Sequence, residues 1–170
     1  ASGTQVAGLL AFGDTVKASA RAAIQKLDAL GIRSIMITGD NEGAASAVAQ
    51  AVGIAEFRAQ VLPGDKAALV AELKKNHGTV AMVGDGVNDA PALAQADVGI
   101  AIGAGTDVAI ETADVVLMRS DPMDVAVALA IGRGTLRKMR QTLGWAIGYN
   151  AIALPIAAGI FYPTFGLMLS

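Results

Sequence analysis

The feature that most constrains this chain is a series of short, wholly apolar segments. Each ends in a turn rich in glycine or acid, and stretches with helical spacing separate them. Residues 6–12 form the first apolar run, and residues 16–30 carry helical spacing that stops at Gly31. Ser34-Ile35-Met36-Ile37 reads as a strand leading into Thr38-Gly39-Asp40-Asn41. Residues 42–52 read as a helix closed by Gly53, and residues 65–76 as a helix entered through Pro63-Gly64. Thr79-Val80-Ala81-Met82-Val83 reads as a buried strand running into Gly84-Asp85-Gly86, and residues 98–102 and 115–118 add two more. Strands without polar alternation are covered on both faces, which is the pattern of a mostly parallel sheet. The expected fold is therefore α/β, a Rossmann-like doubly wound parallel sheet.

The end of the chain is different. Apolar residues make up 54% of the sequence, and the mean hydropathy of +0.52 is high for a wholly soluble domain. The excess lies between Leu143 and Phe161, where no residue is charged. About 20 such residues span a hydrocarbon core, so residues 142–162 are expected to form a transmembrane helix in the lipid bilayer. A buried core helix is the alternative. Trp145 and Tyr162 flank the run as interfacial aromatics do, and Arg133, Arg137, Lys138 and Arg140 precede it. That asymmetry places residues 1–141 on the cytoplasmic side. The net charge of −2 points to no nucleic-acid partner, and the absence of cysteine excludes disulfides, thiol nucleophiles and thiolate metal sites. No signal peptide opens the chain, and a first residue of Ala1 leads us to expect an excised piece.

Ligands of doubly wound sheets bind outside the carboxyl ends of the strands, and two acidic motifs fall there. Thr38-Gly39-Asp40-Asn41 follows one strand and Gly84-Asp85-Gly86-Val87-Asn88-Asp89 another. Glycine lets the backbone turn sharply and approach a ligand closely. A helix starting near Asn88 or Asp89 would aim N–H groups at an anion, and Asp85 and Asp89 offer the hard oxygen ligands that Mg²⁺ takes. Lys66, one turn into the helix entered through Pro63-Gly64-Asp65, can act as a point charge on a phosphoryl group. Taken singly, each signal has a plainer reading: an aspartate after a strand is often an N-cap, and a first-turn lysine is often solvated.

In this order the motifs resemble those of P-type cation ATPases, which are haloacid-dehalogenase-like proteins. The match runs through Thr38-Gly39-Asp40-Asn41, Pro63-Gly64-Asp65-Lys66 and the ten residues from Gly84 to Leu93. Asp14-Thr15-Val16-Lys17 is similar to the family's Asp-x-x-Lys stretch beyond the nucleotide-binding domain. The run from Gly105 to Asp114 also has a counterpart there. The resemblance implies a catalytic group of Lys66, Thr38, Gly39, Asp40, Asn88 and Asp89, with Mg²⁺ held by Asp85 and Asp89. Asp14 and Lys17 would be structural at the hinge, and residues 105–114 a turn and capped helix that pack the core. Such proteins use ATP to form an aspartyl phosphate on an Asp-Lys-Thr-Gly-Thr motif, and no such sequence occurs here. The nucleotide-binding domain, the actuator domain and the other membrane helices are the expected partners, and the chain alone is expected to be inactive.

Tyr149-Asn150 resembles the pair carried by one membrane helix of the copper and silver branch, so Tyr149 and Asn150 are candidates for contact with transported Cu⁺. An asparagine in mid-membrane is costly and often functional, although bonding to a neighbouring helix is a plainer role. The zinc and cadmium branch would carry a lysine in this helix, and none is present. A pump of the zinc, cadmium or potassium branches and a soluble phosphatase of the same superfamily are the alternatives. The expected divisions are 1–17 (hinge and first strand), 18–132 (phosphorylation domain) and 133–141 (basic juxtamembrane segment). Residues 142–162 (membrane helix) and 163–170 (a loop or the start of the next helix) follow.

Overall fold

The computed structural model describes residues 16–85, 88–103 and 111–157. The chain divides into two units, residues 1–126 and 127–170. In the first, helix α1 (Ala20–Ala29) precedes strand β1 (Ile35–Ile37), helix α2 (Glu42–Val52) and strand β2 (Glu56–Arg58). A 3-10 turn (Pro63–Asp65) leads into helix α3 (Lys66–His77), strand β3 (Ala81–Gly84), helix α4 (Ala90–Gln95), and strands β4 (Val98–Ile102) and β5 (Val115–Leu117). Helix α5 (Pro122–Ala157) starts in the first unit and runs through the second. The expected apolar run at residues 6–12 lies outside the described residues, as do Asp14, Gly86, Val87 and residues 104–110.

All strand pairing is parallel, as the apolar segments imply, but the described strands form two sheets rather than one. β1 pairs with β2, and β3-β4-β5 form the other. Only the central β4 is buried along its middle, with Gly99, Ile100 and Ala101 all inaccessible. β3 alternates instead: Met82 and Gly84 are buried, while Ala81 and Val83 are exposed. The expectation of a strand covered on both faces fails at β3, where α3 and α4 cover the face that carries Met82 and the face that carries Ala81 and Val83 stays exposed among the described residues. β2 was not expected at all. Its single apolar residue, Phe57, sits between Glu56 and Arg58, which leaves no apolar run to detect.

Helix α2 has the predicted bounds and a local reason for each. Asn41 Oδ1 accepts the Ala44 N–H at 2.9 Å, and Gly53 closes the far end in the left-handed region. Its buried residues Ala45, Ala49 and Val52 recur at the spacing of one helix face, and the helix packs against α1 and β2. On the other sheet, Val70 of α3, Met82 of β3 and Ala92 and Leu93 of α4 form one apolar cluster. Burying a leucine as completely as Leu93 contributes about 1.5–3 kcal/mol. Asp114 Oδ2 accepts the Gly99 N–H at 2.8 Å, which ties the approach to β5 onto β4.

In the second unit the apolar residues of α5 are exposed: Ile131, Leu136, Met139, Leu143, Trp145, Ile147, Tyr149, Ile152 and Leu154. Pro155 lies inside the helix. Among the described residues no helix is long and apolar enough to cross a membrane. The described helix stops at Ala157, so the last residues of the expected span fall outside it.

Asp97 links three elements of the cluster side. Its Oδ2 accepts the Val80 N–H at 2.9 Å, and its Oδ1 lies 3.1 Å from Lys74 Nζ. The backbone hydrogen bond first, and Lys74 after it, hold the carboxyl below its ordinary range. A depressed folded-state pKa contributes stability above the unfolded value of about 3.9, lost as pH falls through the folded value. Asp97→Asn should therefore lower the melting temperature at pH 7, and the gap to wild type should close below about pH 4. A gap that stays constant from pH 7 to pH 3 would contradict this role for Asp97.

Candidate functional site

Two loops carry the candidate residues, each at the carboxyl end of a strand. At the end of β3, Lys66 and Asp89 meet: Lys66 Nζ lies 2.6 Å from Asp89 Oδ1, and only 17% and 13% of the two side chains are exposed. A short, charge-assisted contact with little water is among the stronger polar interactions a protein makes. The chain reaches this geometry through the 3-10 turn at Pro63–Asp65, where Asp65 N–H donates to the Leu62 carbonyl at 3.0 Å. That turn starts α3 at the lysine itself.

Asp89 is held by its backbone as well. Its carbonyl accepts the N–H groups of Ala92 and Leu93 at 2.9 and 2.8 Å, so it sits at the head of α4. The side chain does not cap that helix, because it is turned to Lys66. Space for it exists only because residue 84 is glycine: a Cβ there would lie 2.5 Å from Asp89 Oδ2 and 2.8 Å from Asp89 Cβ. Gly84 was expected to let the backbone turn and approach a ligand; its immediate steric role is to accommodate the carboxylate of Asp89. Asp85 and Asn88 are exposed in the same loop.

At the end of β1, Thr38 N–H extends the ladder to the Arg58 carbonyl at 2.9 Å. The Thr38 hydroxyl donates to Asp40 Oδ2 at 2.9 Å and accepts the Asp40 N–H at 3.1 Å, which closes a small ring. Residues that the sequence did not single out support this ring. Gln60 N–H donates to the Asp40 carbonyl at 2.8 Å and Val61 N–H to the Thr38 carbonyl at 3.1 Å. Gln60 adopts φ +56, the sole positive φ at a non-glycine residue among those described. No motif marks it, since only its backbone is used. Gly39 is exposed, and a Cβ added there would only reach ordinary contact with the Val61 carbonyl, at 3.5 Å. The N-cap role falls to Asn41, which leaves the Asp40 carboxylate to Thr38.

Among the described residues no three His, Cys, Asp or Glu side chains converge as a ready-made metal cage. Mg²⁺ does not require one, since it is commonly held by one or two carboxylates together with water and substrate phosphate. Asp85 fits that demand as an exposed carboxylate. Asp89 fits it less well, because one oxygen is engaged by Lys66 and the other packs at Gly84. Tyr149 and Asn150 lie on α5 in the second unit, exposed, and Tyr149 keeps 72% of its surface.

The comparisons with known proteins agree with these motifs. Residues 1–97 match a family model described as haloacid dehalogenase-like hydrolase, and residues 66–131 match a second with the same description. A copper-exporting P-type ATPase B of Archaeoglobus fulgidus is 55% identical over 166 residues, 98% of this chain and 24% of that protein. A copper-transporting P-type ATPase of Rhizobium leguminosarum bv. viciae is 52% identical over 165 residues, 97% of this chain and 20% of that protein. Among solved structures, a zinc-transporting PIB-type ATPase in its E2·Pi state superposes with a TM-score of 0.76 at 45% identity. That match covers 83% of this chain and 23% of the other. The chain thus spans about a fifth to a quarter of the length of these relatives. Over nearly all of its own length this chain is similar to copper-transporting P-type ATPases, and it belongs to the haloacid dehalogenase-like hydrolase family.

Proposed function

We propose that this chain is part of an ATP-driven copper(I) pump, or of its silver-carrying counterpart, that works through an aspartyl phosphate. The observation that carries the reading is the Lys66–Asp89 pair set against Gly84, with Asp85 next in the loop. A fixed cation beside a carboxylate-bearing loop suits a phosphoryl group better than a neutral substrate. In the intact pump an aspartate supplied from outside this sequence attacks the γ-phosphorus of ATP. The new bond is O–P; the bond from phosphorus to the bridging oxygen breaks, and ADP leaves. Lys66 offsets negative charge on the phosphoryl oxygens, Asp89 orients Lys66, and Asn88 orders the loop. Thr38 and Gly39 contact the phosphoryl group from the other loop, and Asp40 holds the Thr38 hydroxyl in place. Asp85 would hold Mg²⁺, which when bound adds positive charge at the same oxygens.

The two-sheet arrangement is compatible with this reading. β1 and β3, whose ends carry the two loops, are each at the edge of their described sheet. A strand from elsewhere in the pump, inserted between them, would deliver its aspartate between Thr38 and Asp85. The exposed apolar residues of α5 from Leu143 onward fit a helix that lies in the bilayer there and continues past Ala157, since a segment apolar on all sides needs a nonaqueous surround. On this reading residues 18–132 lie in the cytoplasm, and residues 1–17 return from the nucleotide-binding domain. Residues 133–141 meet the headgroups, residues 142–162 span the bilayer, and residues 163–170 lead onward. The actuator domain and the remaining membrane helices complete the pump.

The superposition with a zinc-transporting ATPase favours a second reading, a zinc pump with the same catalytic chemistry. The oxygen donors of Tyr149 and Asn150 do not decide between the metals, because Cu⁺ prefers sulfur, which other helices must then provide.

Two measurements on the intact pump test these assignments. Asp85→Asn should cut Mg²⁺-dependent phosphoenzyme formation by about tenfold or more at limiting Mg²⁺, since charge rather than size holds the ion. Normal phosphoenzyme levels under those conditions would remove Asp85 from the metal site. Asn150→Leu should abolish Cu⁺-stimulated phosphorylation from ATP and spare phosphorylation from inorganic phosphate, which does not use the membrane site. Loss of neither reaction would make Asn150 a packing residue, and stimulation of the wild-type pump by Zn²⁺ instead of Cu⁺ would select the zinc reading.

A further inference from the structure

Lys17, the end of the Asp-x-x-Lys stretch, has no part in the phosphoryl site, yet it makes a contact across 103 residues of sequence. Its Nζ donates to the Ser120 carbonyl and, at 2.8 Å, to Ser120 Oγ. Two residues on, the Ser19 side chain, and after it the Met123 N–H, holds the Asp121 carboxyl below its ordinary range. Asp121 Oδ1 accepts that Met123 N–H at 2.9 Å, so Asp121, next to Ser120, caps the first turn of α5. On the same turn, Arg119 forks onto both oxygens of Asp124 at 2.9 and 2.6 Å.

Ser120 cannot slide away from this position easily. It packs against Gly103, which has φ +66 and whose Cβ, were there one, would lie 2.8 Å from Ser120 Cβ. Gly103 N–H in turn donates to the Leu117 carbonyl at 2.9 Å. Lys17 and Ser19 also belong to the start of α1, since Ala20 N–H bonds the Lys17 carbonyl and Ala23 N–H the Ser19 carbonyl, each at 2.9 Å. The Lys17–Ser120 contact therefore joins the first turn of α1 to the residues that lead into α5, at the end of β4. These are exposed hydrogen bonds, each worth little to overall stability, but their geometry fixes one helix head relative to the other.

We propose that Lys17 is a positioning residue that couples the segment entering α1 to the head of α5. This rests on the pump reading, in which that segment returns from the nucleotide-binding domain and α5 leads to the membrane. Displacement of the segment then moves the start of α5 instead of being lost in a loop. The contact serves the link between ion and phosphate events, not the chemistry at Lys66 and Asp85.

The test compares turnover with phosphorylation from inorganic phosphate in the intact pump. Lys17→Met keeps the aliphatic stem and removes both hydrogen bonds. It should lower Cu⁺-stimulated ATPase turnover about tenfold and leave the phosphoenzyme level from inorganic phosphate within about twofold. Lys17→Arg, which can donate to both Ser120 oxygens, should restore most of the turnover. Ser120→Ala should lower turnover about two- to threefold, and the double variant should be no worse than Lys17→Met alone. Wild-type turnover in Lys17→Met, equal loss of both reactions, or additive effects in the double variant would each overturn the proposal. Failure of the wild-type pump to respond to either Cu⁺ or Zn²⁺ would instead overturn the pump reading, and it is read in the same assay.

Discussion

The short ion pair between Lys66 and Asp89 is the interaction on which the candidate site depends. Both side chains are largely withdrawn from water, so neither charge is well solvated without the other. Removing one partner from a fully buried pair costs about 3–5 kcal/mol, and this part-buried pair falls at or below the lower end of that range. The pair also organises its surroundings. It requires α3 to start at Lys66, α4 to start after Asp89, and residue 84 to lack a side chain. The apolar cluster of Val70, Met82, Ala92 and Leu93 lies on these same elements, so packing and charge place α3, β3 and α4 together.

Much of this was legible in the sequence, for physical reasons that differ between elements. α2 could be bounded because Asn41 and Gly53 are both residues that end helices by a known mechanism. β4 could be read because a central parallel strand is apolar on both faces. β2 was hidden, since an edge strand three residues long with charges on either side of Phe57 has no periodicity to find. The division into two sheets was hidden as well, because strand pairing depends on which neighbours are present and not on the composition of a strand. In the site, the motifs singled out Lys66 and Asp89 as candidates, whereas their direct contact was not legible. The support that Gln60 and Val61 give the Thr38 loop was invisible, as it passes through backbone atoms that every residue has.

The long helix illustrates the same distinction. Its continuous run from Pro122 to Ala157 crosses the basic segment and Pro155 without a break. Composition alone suggested a change of character near residue 142, where the charges stop, but backbone helicity does not need a uniform environment. What the sequence could not convey is how the helix begins. Asp121 caps it, Arg119 and Asp124 brace its first turn, and Lys17 reaches the residue beside that cap from the far end of the chain.

Gly84 leaves room for Asp89 to hold Lys66 at the proposed phosphoryl site, and Gly84→Ala in the intact pump tests this most directly. The new Cβ would stand 2.5 Å from Asp89 Oδ2, so the carboxylate must move. Phosphoenzyme formed from ATP at saturating Mg²⁺ should fall by about tenfold or more, equivalent to ~1.4 kcal/mol, while the protein stays folded by thermal melting. A folded Gly84→Ala pump with wild-type phosphoenzyme levels would contradict the account.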